Sequence, residues 1–417
     1  MLDHTLALLV QGYAWLPDRR RRSRGKPVHV RLMGKNAVAL RGPEAVRFFY
    51  DESHIERRGA LPGPLLDTLF GRGAVHTLDG QEHRVRKALF MSLLKDRGGL
   101  NSLVDHLGAQ WDLARQRWAG RERVVLFDES SLLLTRAVCD WAGIPRTDGD
   151  IDETARDLVA MVDGFASVGP RHLRARRARS RQEARLAQQV EAVRHGAEEA
   201  PDGSVLATAA AHRDADGQLL DPHGAAVEIL NVIRPTVAVT WFVTFAAHAL
   251  HRWPEHRKLL ADGDAAYTRA FAHEVRRFYP FAPFIGGLAA ADLRWEGQHI
   301  PAGSTVLLDL YGQNHDARLW PEPYVFDPGR FLGHEPERDE LVPQGGGDPA
   351  TNHRCPGEDV TLTVLETLVP RLAALRYAVP TQNLGIPLRR LPTAPRSGFV
   401  MTPAPSDAQA TRSGAAQ

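Results

Sequence analysis

Residues 344–358 read QGGGDPATNHRCPGE and place a cysteine in an unusual setting. The three glycines at 345–347 allow the backbone to approach a flat or bulky group closely. Cys355 stands just before Pro356-Gly357 and an apolar-periodic stretch at 358–375, which predicts a helix. Unpaired N–H groups at the start of that helix would stabilise a thiolate. A cysteine that merely fills a core is the plainer interpretation, but it does not require this glycine-rich setting.

The number of cysteines limits the kinds of disulfide or metal site that the chain can form. The chain contains two, Cys139 and Cys355. Two cysteines cannot form a disulfide framework, and nothing else indicates an oxidising compartment, so we expect a cytoplasmic protein. The partners that structural zinc requires, in Cys-x-x-Cys or Cys-x-x-His spacing, are absent. A single thiolate presented by a glycine-rich loop ahead of a helix is the axial ligand that haem iron requires.

Length and composition describe an ordinary globular protein. The chain has 417 residues, 43% hydrophobic and 24% charged, and its 52 basic and 50 acidic side chains leave a net charge of +2. These values disfavour disorder and collagen, and they give no global attraction to nucleic acid. The N-terminal basic run follows the short apolar stretch, which is the wrong order for a secretory signal. The longest apolar run, 236–247, is too short to span a bilayer and predicts a buried core helix.

Periodicity predicts a mainly α protein with small β sheets. Alternating patterns near 28–42 and 294–310 predict short strands. No linker or repeat divides the chain, so we expect one domain over 1–417, with an N-terminal extension at 1–27 and a disordered Ala/Ser/Pro-rich tail at 402–417. Helical patterns cover 81–118, 129–142, 151–167, 171–195, 222–251, 265–278 and 358–375.

An arginine-rich segment, RHLRARRARSRQEAR, occupies residues 171–185. It fits either an exposed helix face or a patch that binds nucleic acid. We favour the exposed face, because the rest of the chain balances the charge.

A second motif, HEVRRFYPFAPF at 273–284, contains Glu274 and Arg277. A spacing of three places both on one helical face, where they can form a charge-assisted ion pair. WPEPYVFDPGRF follows at 320–331, and the cysteine loop follows that. In this order and spacing, and with His353, Cys355 and Gly357 in the loop, the chain resembles the haem-thiolate (cytochrome P-450) superfamily. The resemblance implies the P-450 fold with a long central helix over haem b, Cys355 as the axial thiolate, and Glu274 and Arg277 as a structural pair.

The apolar helix expected at 222–251 contains two residues that do not suit an oily segment. Pro235 removes an i to i−4 hydrogen bond and bends the helix. Arg234 keeps its charge and is very costly to bury unpaired, so it requires an anion. That anion is either an Asp or Glu of the same chain or a substrate carboxylate held bidentately. The residues alone leave both choices open.

The Arg-Pro pair separates this chain from most of the superfamily, whose members have an acid followed by Thr or Ser in this helix. It resembles the bacterial fatty-acid peroxygenase family, and so do three further stretches, FFYDESHIERRGALPG (48–63), DTLFGRGAVHTLDGQEHRVRKALFMSLL (67–94) and LYGQNHDARLW (310–320). The chain is identified as a member of that family. The resemblance implies a long-chain fatty acid as substrate and hydrogen peroxide in place of dioxygen and a reductase. It implies no membrane span and no nucleic-acid partner.

The resemblance also assigns residues to the cofactor. Arg57, His83 and Arg86 are expected to bind the haem propionates, because two carboxylates at a haem edge require cationic donors. His353 is expected to contact the cofactor beside Cys355. The alternative for the basic residues is a solvated surface.

On the substrate side, Leu69 and Phe70 would line the acyl channel, although apolar residues fit any core. His76 occupies a position where members that resemble the olefin-forming decarboxylases have His and some hydroxylases have Gln. Its alternative is an ordinary core histidine. The hypothesis is that the acid pairs with Arg234 beside Pro235, so that only its alpha and beta carbons are oxidised.

The bound carboxylate would also supply the acid–base function of the missing acid–alcohol pair. The expected products are 2- or 3-hydroxy acids and, by loss of carbon dioxide, terminal alkenes, a branch that His76 would favour. An alternative enzyme is a ferredoxin-dependent haem monooxygenase of another small molecule. A haem sensor or acyl-binding protein is the alternative from another class.

Overall fold

The structure is a computed structural model that describes residues 3–23 and 26–404. Its α-helices are α1 (Thr5–Gln11), α2 (Trp15–Arg22), α3 (Pro43–Tyr50), α4 (Gly63–Leu65), α5 (Gly80–Leu94), α6 (Arg97–Trp118), α7 (Leu126–Ala142), α8 (Asp148–Gly164), α9 (Pro170–Arg194), α10 (Val205–Ala211), α11 (Pro222–Val237), α12 (Thr240–Arg252), α13 (His256–Ala261), α14 (Ala265–Phe278), α15 (Leu310–Asn314) and α16 (Glu358–Ala374). Its strands are β1 (Val28–Leu32), β2 (Lys35–Leu40), β3 (Ile55–Glu56), β4 (Val124–Val125), β5 (Ile285–Ala289), β6 (Leu293–Trp295), β7 (Gln298–Ile300), β8 (Thr305–Leu308), β9 (Tyr377–Ala378) and β10 (Val400–Pro403).

The strands form three small sheets. The largest has the order β1-β2-β8-β5-β3, in which β2 and β8 are parallel and the other neighbours are antiparallel. β4, β10 and β9 form a second sheet, and β6 pairs with β7 in a hairpin. Along β1 the buried and exposed residues alternate, as the sequence pattern predicts for a half-buried strand. The prediction of a mainly α protein with small sheets is confirmed.

Most of the apolar side chains of the helices share one core, formed largely by α6, α7, α11, α12, α14 and α16. The helix predicted at 265–278 is present with those bounds. The single helix predicted at 81–118 is two helices instead, α5 and α6. Asp96 ends the run because its side chain accepts the N–H of Gly99 and caps α6. The region near 294–310, predicted to form short strands, contributes to three of them, β6, β7 and β8.

The central apolar segment is interrupted after its proline. α11 continues through Pro235 to Val237, and the chain then turns through Ala238 and Val239 before α12 begins. Between residues 222 and 252 the segment is long and apolar enough to cross a bilayer, but 94% of its apolar window is buried inside the protein. The prediction of a buried core helix is confirmed, and the break lies three residues beyond the predicted bend.

Both chain ends depart from the predicted boundaries. The N-terminal segment is not a separate extension, because Trp15 and Leu16 pack in a buried cluster with Val28 and Val30 of β1. At the other end, Thr402 and Pro403 pair with β9 and belong to the fold. The rest of the predicted tail, 405–417, lies outside the described residues.

Candidate active site

Cys355 lies in the loop that leads into α16. Its sulfur is 3.9 Å from the side-chain nitrogen of Gln344, and its own N–H donates to the Gln344 carbonyl. Cys355 is partly exposed, whereas Cys139 is buried and burial raises the pKa of the Cys139 thiol to about 12. Cys355 is therefore the accessible thiol. The sequence prediction did not include Gln344, although it begins the quoted motif.

The glycines of this loop are required by α3. A Cβ on Gly345 would lie 2.2 Å from the Tyr50 hydroxyl, and a Cβ on Gly346 would lie 2.2 Å from a methyl carbon of Val46. Gly347, with φ +76°, would bring a Cβ within 3.1 Å of the Tyr50 side chain. The close packing of these glycines against Tyr50 and Val46 holds the loop that carries Cys355 against α3.

A partly buried carboxylate anchors the loop to α14. Glu358 accepts hydrogen bonds from Arg354 and from Arg276, and Arg276 also donates to the side chain of Gln344. Burial opposes the charge of Glu358, but the two guanidinium groups outweigh it and lower its pKa to about 2. The carboxylate ties the cysteine loop to the helix that contains Glu274 and Arg277.

Acid should weaken this anchor. The pKa of Glu358 is lower in the folded protein than its ordinary 4.5, so the stability it contributes is full above about pH 4.5 and is lost as the pH falls towards 2. We expect Glu358→Gln to lower the free energy of unfolding by about 3 kcal/mol at pH 7, with a smaller difference at pH 3. Denaturant unfolding at the two pH values measures this. Glu44→Gln, at an exposed ion pair, should change it by less than about 1 kcal/mol. An equal deficit for Glu358→Gln at both pH values would contradict the prediction.

The predicted pair of Glu274 and Arg277 is formed and fully buried, with N–O distances of 2.6 and 2.7 Å. Arg277 also donates to the carbonyls of Asn314 and Pro323, and Glu274 accepts the N–H of Asp327. The pair therefore holds the 320–331 segment against α14, as a structural role requires.

Arg234 is buried in α11 and is 6% exposed. Within residues 3–23 and 26–404, no carboxylate pairs with it. Its hydrogen bond is to the side-chain oxygen of Asn231, at 3.3 Å, and its Nε has no partner. Burial, with the nearby charge of Arg179 adding to it, lowers the pKa of Arg234 to about 9, which still leaves it protonated at neutral pH. The alternative of an internal salt bridge is therefore not what the structure shows.

His76 and Phe70 stand together, with ring centroids 4.5 Å apart. The Nδ1 atom of His76 is buried and has no hydrogen-bond partner among the described residues. Burial and the charge of Arg234 hold the pKa of His76 well below its usual value. The ring is therefore neutral at pH 7 and can donate a hydrogen bond, but it does not carry an acidic proton.

Two buried polar side chains on the elements around the cysteine loop have atoms without a hydrogen-bond partner. Arg57 is buried over the Phe49 ring and donates to the Gly286 carbonyl, but its Nε has no partner in the described part of the chain. His83 is buried, its ring stacks on His353 at 3.8 Å, and its Nδ1 is also without a partner. Buried polar atoms of this kind are costly unless a hydrogen-bond partner reaches them. The residues therefore fit a haem with Cys355 on its iron and its propionates near Arg57 and His83.

Arg86, which was predicted to bind a haem propionate, already has partners in the protein. Its guanidinium forms salt bridges with Asp214 and Glu228, and it donates to the Gly73 carbonyl. Its charge is thus already neutralised, so a haem propionate would have to compete with two carboxylates. Lys87, the next residue, is buried and donates to the Arg354 carbonyl at 2.6 Å. The sequence prediction overlooked Lys87, although it stands one helical turn after His83.

The arginine-rich segment is largely a set of ion pairs between α9 and neighbouring helices. Arg171 pairs with Asp163 of α8, and Arg181 pairs with Asp157. Arg179 is different, because it is buried and donates to the carbonyls of Leu69 and Phe70 at 2.6 and 3.0 Å. It holds in place the two residues predicted to line the acyl channel.

Comparisons with known proteins show which proteins this chain is similar to. The family model described as "Cytochrome P450" matches residues 263–404. A variant of cytochrome P450SP alpha (CYP152B1) is similar over 96% of this chain and 98% of its own, with 40% identity and a TM-score of 0.93. Cytochrome P450EX alpha (CYP152N1) with myristic acid is similar over 96% and 97%, with 36% identity and a TM-score of 0.92. A variant of cytochrome P-450 OleT in complex with arachidonic acid is similar over 96% of each chain, with 36% identity and a TM-score of 0.93.

Curated sequences are matched over shorter stretches. Cytochrome P-450 4A10 of Mus musculus is 31% identical over 181 residues, which cover 39% of this chain and 34% of the mouse protein. The chain thus matches about a third of the length of such relatives.

Proposed function

The chain belongs to the fatty-acid peroxygenase (CYP152) family of cytochromes P-450, and on this basis we propose that it oxidises long-chain fatty acids with hydrogen peroxide. The oxidation is at the alpha or beta carbon and gives 2- or 3-hydroxy acids, terminal alkenes, or both. The observation that carries the proposal is Arg234, a buried guanidinium to which no carboxylate of the described chain is paired.

The family's cofactor is haem b, which Cys355 would hold through its thiolate and whose propionates Arg57 and His83 would bind. When bound, haem supplies the iron at which peroxide is activated and a C–H bond is oxidised. The remaining tasks fall to the chain and the substrate. Arg234 holds the substrate carboxylate by charge-assisted hydrogen bonds, and this fixes the distance of each carbon from the reacting centre.

Proton transfer is assigned to the bound substrate. The helix has Arg234 and Pro235 where most of the superfamily has an acid and an alcohol, so the chain itself offers no carboxyl group there. A substrate carboxylate paired with Arg234 accepts a proton on one oxygen and returns it, which is general acid–base catalysis by the substrate. This account requires no reductase, and we place the protein in the cytoplasm.

His76 sets the choice between products as a neutral hydrogen-bond donor. Its ring lies against Phe70, and the charge of Arg234 helps to keep it unprotonated. We expect His76→Gln to lower the alkene fraction by about threefold, because an amide donates from a different position, and a misplaced donor loses part of a hydrogen bond. Product analysis by mass spectrometry measures the ratio, and an unchanged ratio would remove the role assigned to His76.

The decisive test of the reaction class needs no mutation. Haem-loaded protein is incubated with a long-chain acid and hydrogen peroxide, without any electron donor, and the products are identified by mass spectrometry. Hydroxy acids or alkenes are expected. Product that appears only with ferredoxin and its reductase would favour the conventional monooxygenase. A haem spectrum that shifts with fatty acid, without product under either condition, would favour a sensor or acyl-binding protein.

A further inference from the structure

Glu228 lies in α11, 1% exposed, and binds three groups at once. Its Oε1 accepts the backbone N–H of Val75 at 2.8 Å and a guanidinium N–H of Arg86 at 2.7 Å. Its Oε2 accepts the side-chain N–H of Asn231 at 3.1 Å. Each bond leads to a different part of the molecule, and two of them lead towards the substrate site.

The first path runs along α11. Asn231 donates to Glu228 and to the Phe70 carbonyl through its nitrogen, and it accepts from Arg234 through its oxygen. Residues three apart on a helix are neighbours, whereas residues six apart lie on different faces. Glu228 therefore cannot pair with Arg234 directly, and Asn231 links them.

The second path runs through the backbone. Val75 precedes His76, so the hydrogen bond from its N–H to Glu228 ties the His76 turn to α11. Arg86, with Asp214 on its other side, compensates the charge of Glu228. One carboxylate thus supports the turn that contains His76 and the amide that holds Arg234.

We propose that Glu228 is a positioning residue that sets where Arg234 and His76 stand relative to the bound acid. It thereby fixes the selection between the alpha and beta carbons and between hydroxylation and decarboxylation. The inference rests on the proposed function, because it concerns the substrate of the same site.

Replacing the Glu228 carboxylate by an amide breaks its hydrogen bond with Asn231 but keeps those with Val75 and Arg86. In Glu228→Gln, the side-chain oxygen still accepts from Val75 and Arg86, but the amide nitrogen then faces the amide nitrogen of Asn231. Two donors cannot bond, so Asn231 must turn over and present its nitrogen to Arg234. The hydrogen bond that orients Arg234 and the one from Asn231 to the Phe70 carbonyl are both lost, while Val75 and Arg86 still donate to residue 228.

The experiment compares Glu228→Gln with Asp214→Asn. Asp214 also binds Arg86, but it contacts neither Asn231 nor Val75, so it is the matched control. We expect Glu228→Gln to raise the dissociation constant of palmitic acid about tenfold, as the shift of the haem spectrum reports, and to change the ratio of 2- to 3-hydroxy product at least about threefold. Asp214→Asn should leave both within about twofold.

Asn231→Ala cuts the same path without disturbing Arg86. It should reproduce the change in the ratio, and the double variant with Glu228→Gln should add nothing to it. Wild-type values for Glu228→Gln, or an equal change in Asp214→Asn, would overturn the proposal. If Glu228→Gln does not retain haem, Asn231→Ala takes its place as the test. A wild-type ratio of 2- to 3-hydroxy product in Asn231→Ala would then overturn the proposal. The dissociation constant is measured without peroxide, so it tests the positioning role of Glu228 even if the wild-type protein makes no product. Absence of product from the wild-type protein would count against the proposed function and not against this inference.

Discussion

Arg234→Leu is expected to lower kcat/KM for long-chain acids with peroxide by about 10²- to 10⁴-fold, while haem stays bound. The guanidinium is the cation that holds the substrate carboxylate, and losing one partner of a buried charge pair costs about 3–5 kcal/mol. Without it, the acid is not held at a fixed distance from the reacting centre and its proton-transfer group is misplaced. Steady-state kinetics and the haem spectrum of the variant measure the two effects.

The stability of the variant provides the control. Arg234 is buried without a carboxylate in the described part of the chain, so its removal should leave the free energy of unfolding of the substrate-free protein unchanged or higher. Arg86→Leu should do the opposite, because it leaves Glu228 buried without its cation. Near-normal turnover by Arg234→Leu would remove the anchor from the mechanism. A large loss of stability would show that Arg234 serves the fold instead.

Arg277→Met should be the most destabilising of these changes, lowering the free energy of unfolding by about 3–5 kcal/mol. It removes the cation that is hydrogen-bonded to the buried Glu274, leaving only Arg330 at 3.8 Å, and it releases the carbonyls of Asn314 and Pro323. Because α14 supports the cysteine loop through Arg276, we also expect the variant to bind haem poorly. Denaturant unfolding and the ratio of haem to protein after purification measure these effects.

A matched control uses the exposed pair of Glu44 and Arg47, which has the same spacing on α3. These side chains are 77% and 52% exposed, so Arg47→Met should change stability by less than about 1 kcal/mol. If Arg277→Met unfolds no more easily than Arg47→Met, the structural role of the buried pair is wrong.

Features that depend on local sequence were predicted well. The spacing of Glu274 and Arg277 places them on one helix face, and the order of the neighbouring motifs, which resembles that of the P-450 superfamily, predicted the structural pair. The helix at 265–278 has a clear period and was placed correctly. The break between α5 and α6 was not, because apolar periodicity continues across residues 95 and 96, and the side chain of Asp96 decides the boundary.

Features that depend on distant partners were predicted poorly. Arg86 resembled a propionate ligand, but Asp214 and Glu228 lie far along the chain and neutralise it. Arg179 stood among exposed arginines, and nothing in the pattern marked it as the one that reaches the carbonyls of Leu69 and Phe70. The sequence prediction also missed Glu228. The signal that could have found it, a charged residue within an apolar helix, is the same one that predicted a role for Arg234.

The central claim is that the counter-ion of Arg234 is the carboxylate of the molecule being oxidised. It is tested most directly by giving the wild-type protein palmitic acid and methyl palmitate in separate reactions with hydrogen peroxide. The two have the same chain, but the ester offers neither a negative charge nor an acid–base group. The account predicts oxidation of the acid at its second or third carbon and at least about 10²-fold slower oxidation of the ester. Equal rates with the same positional selectivity would contradict it.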